Sequence, residues 1–142
     1  MKTLNEIMNF YGTDKRYEEH NYVQFYEKIL SGKENDSLKL LEIGIYRPPL
    51  HLKKIVENIL TFNTPFVKKK MTAASLKTWY DYLPNTQIYG VDLDDFSDID
   101  NSRIKTSICN QESKEELNGL IDRIGSDFDI IIDDGGHTMK QH

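Results

Sequence analysis

The segment LKLLEIGI, residues 38–45, most constrains what this chain can fold into. It is short and apolar, and it closes on an acid and a glycine. That is the form of a central parallel strand covered on both faces. Three further runs have related shapes. QIYGVDL ends near Asp92, RIKTSIC is shorter, and FDIIIDD ends on Asp133 and Asp134.

Between these runs the period changes. TLNEIMNFYG reads as a short helix, with Thr3 and Glu6 at capping-box spacing. YVQFYEKILSG reads as a second helix that stops at Gly32. HLKKIVENIL places Leu52, Ile55, Val56, Ile59 and Leu60 on one side, and FNTPFVKKKMT reads as loop. ASLKTWYDYLP is a helix starting near Ala73–Ser75, with Leu76, Trp79, Tyr80 and Leu83 facing inward. DDFSDIDNS is an acidic loop holding a short helix or turn. SKEELNGLIDRIG is an amphipathic helix with a second capping box, Ser113 and Glu116, and a glycine stop at Gly125. Strands alternating with helices predict an α/β fold with a parallel sheet.

The chain has 142 residues, which predicts one domain with a real core. It carries 23 acidic against 18 basic residues. That balance disfavours a nucleic-acid or anionic-membrane surface. Lys68-Lys69-Lys70 reads as a solvated loop. Cys109 is the single cysteine and reads as a core residue, which suggests a reducing compartment. The opening MKTLNEIMNFYGTDK lacks the apolar stretch of a secretory signal. No segment approaches the ~20 apolar residues of a membrane span. The expectation is a soluble, cytoplasmic protein with no nucleic-acid or membrane partner.

In an open parallel sheet, ligands sit beyond the carboxyl ends of the strands. Here those ends carry Glu42-Ile43-Gly44, Asp92, Asn110-Gln111 and Asp133-Asp134. A dinucleotide site would need a glycine-rich turn with amides facing the pyrophosphate. Instead Ile45-Tyr46-Arg47-Pro48-Pro49 follows Gly44, and Glu42 would repel phosphates. An acidic crevice suits a cationic ligand rich in hydroxyls, and S-adenosylmethionine is one.

LLEIGI, ASLKTWYDYLPNTQIYGVDL, NQES and FDIIIDDGGH together resemble the class I S-adenosylmethionine-dependent methyltransferases. More narrowly, they are similar to the group that includes the metal-dependent sugar O-methyltransferases of macrolide biosynthesis. YGTDKRYEEHNYVQFYE stands where that group has its recurring opening. The resemblance spans nearly the whole chain except about residues 46–72. It implies a Rossmann-like sheet, of which this chain holds the N-terminal, cofactor-binding half.

The resemblance also implies roles. Glu42 and Gly44 would lie beside the methionine part of the cofactor, and Ser75 heads the S-L-x-x-W helix nearby. Asp92 would accept from the ribose hydroxyls, and Asn110-Gln111 would flank the adenine, with Asn110 replacing the usual Asp. Asp133 joins the cofactor set. Asp134 would bind a divalent metal, Mg²⁺ by its hard oxygen, and His137 would be the general base. The acceptor would be a small sugar-like hydroxyl compound.

Each feature has a plainer reading. Asp92 caps a turn, Asp133-Asp134-Gly135-Gly136 is a polar turn, and Trp79, Tyr80 and Tyr82 are core aromatics. Thr13, Asp14 and Lys15 form either a helix cap or a lid. Two departures from the group stand out. Residues 46–72 form an insertion, and Ala73-Ala74 replace an expected glycine pair. The group continues for about three strands past DDG-x-H, whereas this chain ends at His142. That implies a fragment, a truncated product, or a chain completed at its exposed last strand by a partner or a second copy. The rival readings are a non-catalytic binding module and another nucleotide-using α/β enzyme.

Overall fold

Among the described residues, four parallel strands form one sheet in the order β3-β2-β1-β4. They are β1 (Lys39–Ile43), β2 (Gln87–Asp92), β3 (Ile104–Ile108) and β4 (Ile130–Asp133). Among the described residues the helices are α1 (Leu4–Tyr11), α2 (Val23–Leu30), α3 (Ala74–Tyr82) and α4 (Lys114–Ile124). This computed structural model describes residues 2–13, 15, 21–45 and 72–135. The expected helix HLKKIVENIL, the loop 62–71 with Lys68-Lys69-Lys70, and His137 lie outside the described residues.

The α/β expectation holds. β1 sits centrally between β2 and β4, and Leu40, Leu41 and Glu42 are buried in succession. Three consecutive buried residues require cover on both sheet faces, as the apolar run predicted. Leu40, Ile88, Ile104 and Ile132 point to the face packed by α1 and α3, where Leu4, Met8, Leu76, Trp79 and Leu83 complete the larger core. Leu41 and Val91 point the other way, onto Cys109 and Leu120 of the α4 side. Cys109 is a core residue, as read.

Local chemistry sets the helix ends. At α1 the Thr3 hydroxyl accepts from the Glu6 N–H at 3.2 Å, and Glu6 accepts from the Thr3 N–H at 2.7 Å. At α4 only half of the expected box forms. Ser113 Oγ accepts from the Glu116 N–H at 3.3 Å, but the Glu116 carboxylate takes the Asn110 N–H at 2.8 Å. The reason is that the Ser113 N–H is already spent on the Asn110 carbonyl, at 2.9 Å. Gly125 ends α4 at a positive φ of 81°. The acidic loop holds a short 3₁₀ turn at Ser97–Ile99, and Phe96 anchors it in the core. Among the described residues, no helix is long and apolar enough to cross a membrane.

Candidate functional site

The chain builds β1, β2 and β3 in one direction and then returns to place β4 on the opposite side of β1. Strand order therefore reverses between β1 and β4, where such sheets open a crevice. The last residues of β1 are held on both sides. The Gly44 N–H donates to Val91 O at 2.8 Å, and the Asp134 N–H donates to Ile43 O at 2.8 Å. Gly44 adopts φ +86°, and a Cβ there would meet Asp134 O at 2.5 Å and Gly135 Cα at 2.6 Å. Both the conformation and the space demand glycine.

Glu42 is fully buried beneath this point. Ser75 Oγ donates to its Oε1 at 2.6 Å and Trp79 Nε1 donates to its Oε2 at 2.8 Å. The S-L-x-x-W spacing explains this grip, because positions i and i+4 share one helix face. Lys15 completes it. Its ammonium stands 3.4 Å from Glu42 Oε1 and bonds directly to Asp134 Oδ2. Burial pushes the Glu42 carboxyl up, and Lys15, Ser75 and Trp79 draw it partway back. Tyr26, whose ring meets Trp79 edge-on at 5.0 Å, senses the same charges. Burial pushes its phenol up to about 12, with Lys15 opposing and Glu42 and Asp134 adding to the rise.

The other strand ends behave differently. Asp92 is half-buried, and its carboxylate accepts from the Ile45 N–H at 2.7 Å and the Asp94 N–H at 3.0 Å. It is thus a turn cap, as the plainer reading had it. A carboxylate has about four lone-pair sites, so acceptor capacity for hydroxyl donors remains. Asn110 Oδ1 accepts from the Glu112 N–H at 2.9 Å. The Gln111 amide crosses to lie against Gly135, so the loops after β3 and β4 meet although their strands are opposite edges of the sheet. Asp133 Oδ1 accepts from the Gly135 N–H at 3.2 Å, which makes a polar turn.

The structure thus gathers Glu42, Gly44, Ser75 and Asp134 around the β1/β4 reversal. Asp92 flanks them at the end of β2, and Gln111 reaches Gly135. Sequence reasoning missed the weight of Lys15, which is 2% exposed. Periodicity carried no signal for it, since it lies past α1. Its one trace was its place in the opening YGTDK.

Alanine does stand where glycine was expected. Ala73 has φ 51° and ψ 43°, the left-handed conformation, at the start of α3 and fully buried. The chain reaches the glycine-type geometry with an alanine, at a cost of roughly 1–2 kcal/mol.

For a divalent cation, Asp134 offers a hard carboxylate oxygen of the kind magnesium takes, and it already faces a cation. Among the described residues, no three His, Cys, Asp or Glu side chains could hold a metal together. Asp134 fits as one ligand, and an octahedral ion would need further oxygens.

A parallel sheet reversing at β1/β4, a glycine closing β1 and an acid closing β2 have the form of the N-terminal half of a Rossmann-like sheet. The comparisons give the nearer likeness. The chain is 31% identical over 136 residues to mycinamicin VI 2''-O-methyltransferase of Micromonospora griseorubida, covering 94% of this chain and 29% of that protein. It is 30% identical over 139 residues to demethylmacrocin O-methyltransferase of Streptomyces fradiae, covering 96% of this chain and 30% of that protein. In structure it matches the MycE methyltransferase of the mycinamycin pathway, solved with Mg and SAH, with a TM-score of 0.75 and 28% identity. That match covers 99% of this chain and 33% of the other. The chain spans about 30% of the length of the curated relatives it matches. No protein-family model matches it. The resemblance to the sugar O-methyltransferases therefore extends from the motifs to most of the chain and to its fold.

Proposed function

We propose that this chain provides the S-adenosylmethionine-binding half of an O-methyltransferase acting on a sugar or related hydroxyl. The observation that carries the reading is the set of Gly44, Ser75-bound Glu42, Asp92 and Asp134 at the β1/β4 reversal. The same sheet in MycE was solved with Mg and SAH, which supports it. Residues 1–37 are then a helical segment of the one partial domain, and 46–72 an insertion in it.

In this reading the chain's own residues divide the work. Gly44 lets the methionine part approach the backbone at the end of β1. Glu42 does not reach the crevice; it orders Ser75 and the start of α3 from below. Asp92 accepts from the ribose diol while it holds Ile45, Asn110 and Gln111 border the adenine side, and Asp133 belongs to the cofactor set at the end of β4. Asp134 would hold Mg²⁺ with one oxygen, and bound Mg²⁺ would orient and acidify the acceptor hydroxyl. His137 would take the proton of the acceptor hydroxyl, and bound S-adenosylmethionine would supply the methyl group and be left as S-adenosylhomocysteine (SAH).

Calorimetric titration with SAH, with and without Mg²⁺, tests this. Micromolar binding is expected, and no binding by a folded chain would overturn it.

A second reading, an interaction module, has its own observation. Among the described residues β4 is an edge of the sheet, and Ile131, Phe25 and Ile29 beside it are 60%, 61% and 41% exposed. A groove of about 240 Å³ runs between α2 and β4. An apolar edge of this kind associates readily. Concentration-dependent dimerisation in sedimentation velocity, lost in Ile131→Lys, is its expected signature.

A further inference from the structure

Lysine is almost never fully buried without a partner. Lys15 is buried, and among its partners are two carboxylates from distant parts of the chain. Glu42 is sealed in the core, where Ser75 and Trp79 already serve both of its oxygens. Asp134 is different. Its side chain is 35% exposed, so one side of the carboxylate meets Lys15 and another meets solvent. One ammonium is thus shared between a sealed carboxylate and one at the mouth of the crevice.

This sharing has an electrostatic consequence. Among the described residues, Lys15 is the cation that pairs with both carboxylates, and without it they would face each other uncompensated. With Lys15, the two carboxylates share one cation. A divalent cation arriving at Asp134 meets an ammonium on the same carboxylate. Two cations so close repel strongly where protein shields them from solvent and salt.

We infer that Lys15 is the crevice's internal counter-cation: its ammonium holds Asp134 when no divalent ion is present and competes with that ion for the carboxylate. The inference deepens the proposed function and rests on Asp134 as the metal carboxylate. Lys15 is a positioning residue here, acting through Asp134 and Glu42 and touching no reacting atom.

The probe is Mn²⁺, followed by the loss of its free-ion paramagnetic resonance signal, with SAH calorimetry on the same samples. Lys15→Met is expected to bind Mn²⁺ at least about fivefold more tightly than the wild type, because the competing charge is gone. Lys15→Arg keeps the charge and is expected to bind no more tightly than wild type. Lys15→Met strands the sealed Glu42 charge and endangers folding. The double variant Lys15→Met/Glu42→Gln removes that charge together with its cation; because an anion near the site goes with the ammonium, which is the nearer of the two to Asp134, it is expected to tighten in the same direction but by less.

Mn²⁺ affinity that is unchanged or weaker in the folded double variant, with SAH binding retained, overturns the inference alone. Failure of the underlying reading looks different. In that case the wild type binds no SAH, or Mn²⁺ uptake is indifferent to Asp134→Asn, and the inference falls with it.

Discussion

Trp79 and Ser75, one helical turn apart on α3, donate to the two oxygens of a single buried carboxylate, at 2.8 and 2.6 Å. The pair turns Glu42 from a charge stranded in the core into the tie between β1 and α3. Removing one donor leaves a buried acceptor short of a partner. Trp79→Phe, which keeps most of the ring, is therefore expected to cost about 2–3 kcal/mol, read from urea denaturation. A loss under about 0.5 kcal/mol would mean that the bond contributes nothing net.

The same carboxylate makes stability depend on pH. Burial raises the Glu42 carboxyl above its ordinary 4.5, and Lys15, Ser75 and Trp79 only partly oppose this. The folded chain therefore holds this proton more tightly than the unfolded chain does. The resulting stability is fully present below 4.5 and is lost as pH rises through the folded value. Glu42→Gln has no such proton. The stability of the wild type relative to Glu42→Gln should fall as pH climbs from below 4.5 toward neutrality, seen as converging or crossing urea midpoints. A difference that is flat with pH would refute the direction.

Gly44 admits no side chain. At φ +86°, a Cβ would press within 2.6 Å of the Asp134–Gly135 backbone. Gly44→Ala should cost about 2 kcal/mol or more, since it meets both conformational strain and overpacking against main chain. Thermal unfolding measures it, and a wild-type midpoint would show that β4 can move aside.

Ala73 offers the converse case. Ala73→Gly relieves left-handed strain of roughly 1–2 kcal/mol. It gives up about 0.8 kcal/mol for the buried methyl and about 0.5–1 kcal/mol in chain entropy. A net change within about 1 kcal/mol is expected from these opposing effects. Ala73→Val keeps the strain and adds a branch in a fully buried position. It should lose about 2 kcal/mol or more. Equal stability of the two variants would contradict the geometry.

Asp92 holds Ile45 and keeps acceptor capacity for the ribose of the proposed cofactor. Asp92→Ala is expected to weaken SAH binding by about 1–3 kcal/mol in calorimetry. Unchanged affinity in a folded variant would leave Asp92 a turn cap only.

The sequence by itself determined the elements of this protein. LKLLEIGI, QIYGVDL, RIKTSIC and FDIIIDD became the four strands because each apolar run is too short for a helix yet rich enough to be covered by neighbours. Thr3 with Glu6, and Gly125, marked helix ends because caps are local chemistry. Tertiary structure decided what those elements do to one another. Ser113 and Glu116 have the spacing of a full box, yet the Asn110 carbonyl had already taken the Ser113 N–H. Glu42 reads in sequence as a ligand-facing acid at a strand end. In the fold it points down onto Ser75 and Trp79, because residues alternate across a strand and α3 covers that face. Lys15 could be read only as part of a cap or lid in YGTDK, and its ion pairs could not be read at all. Its partner Asp134 lies 119 residues away, and no local period encodes an ion pair made by bringing two distant turns to one point in the sheet.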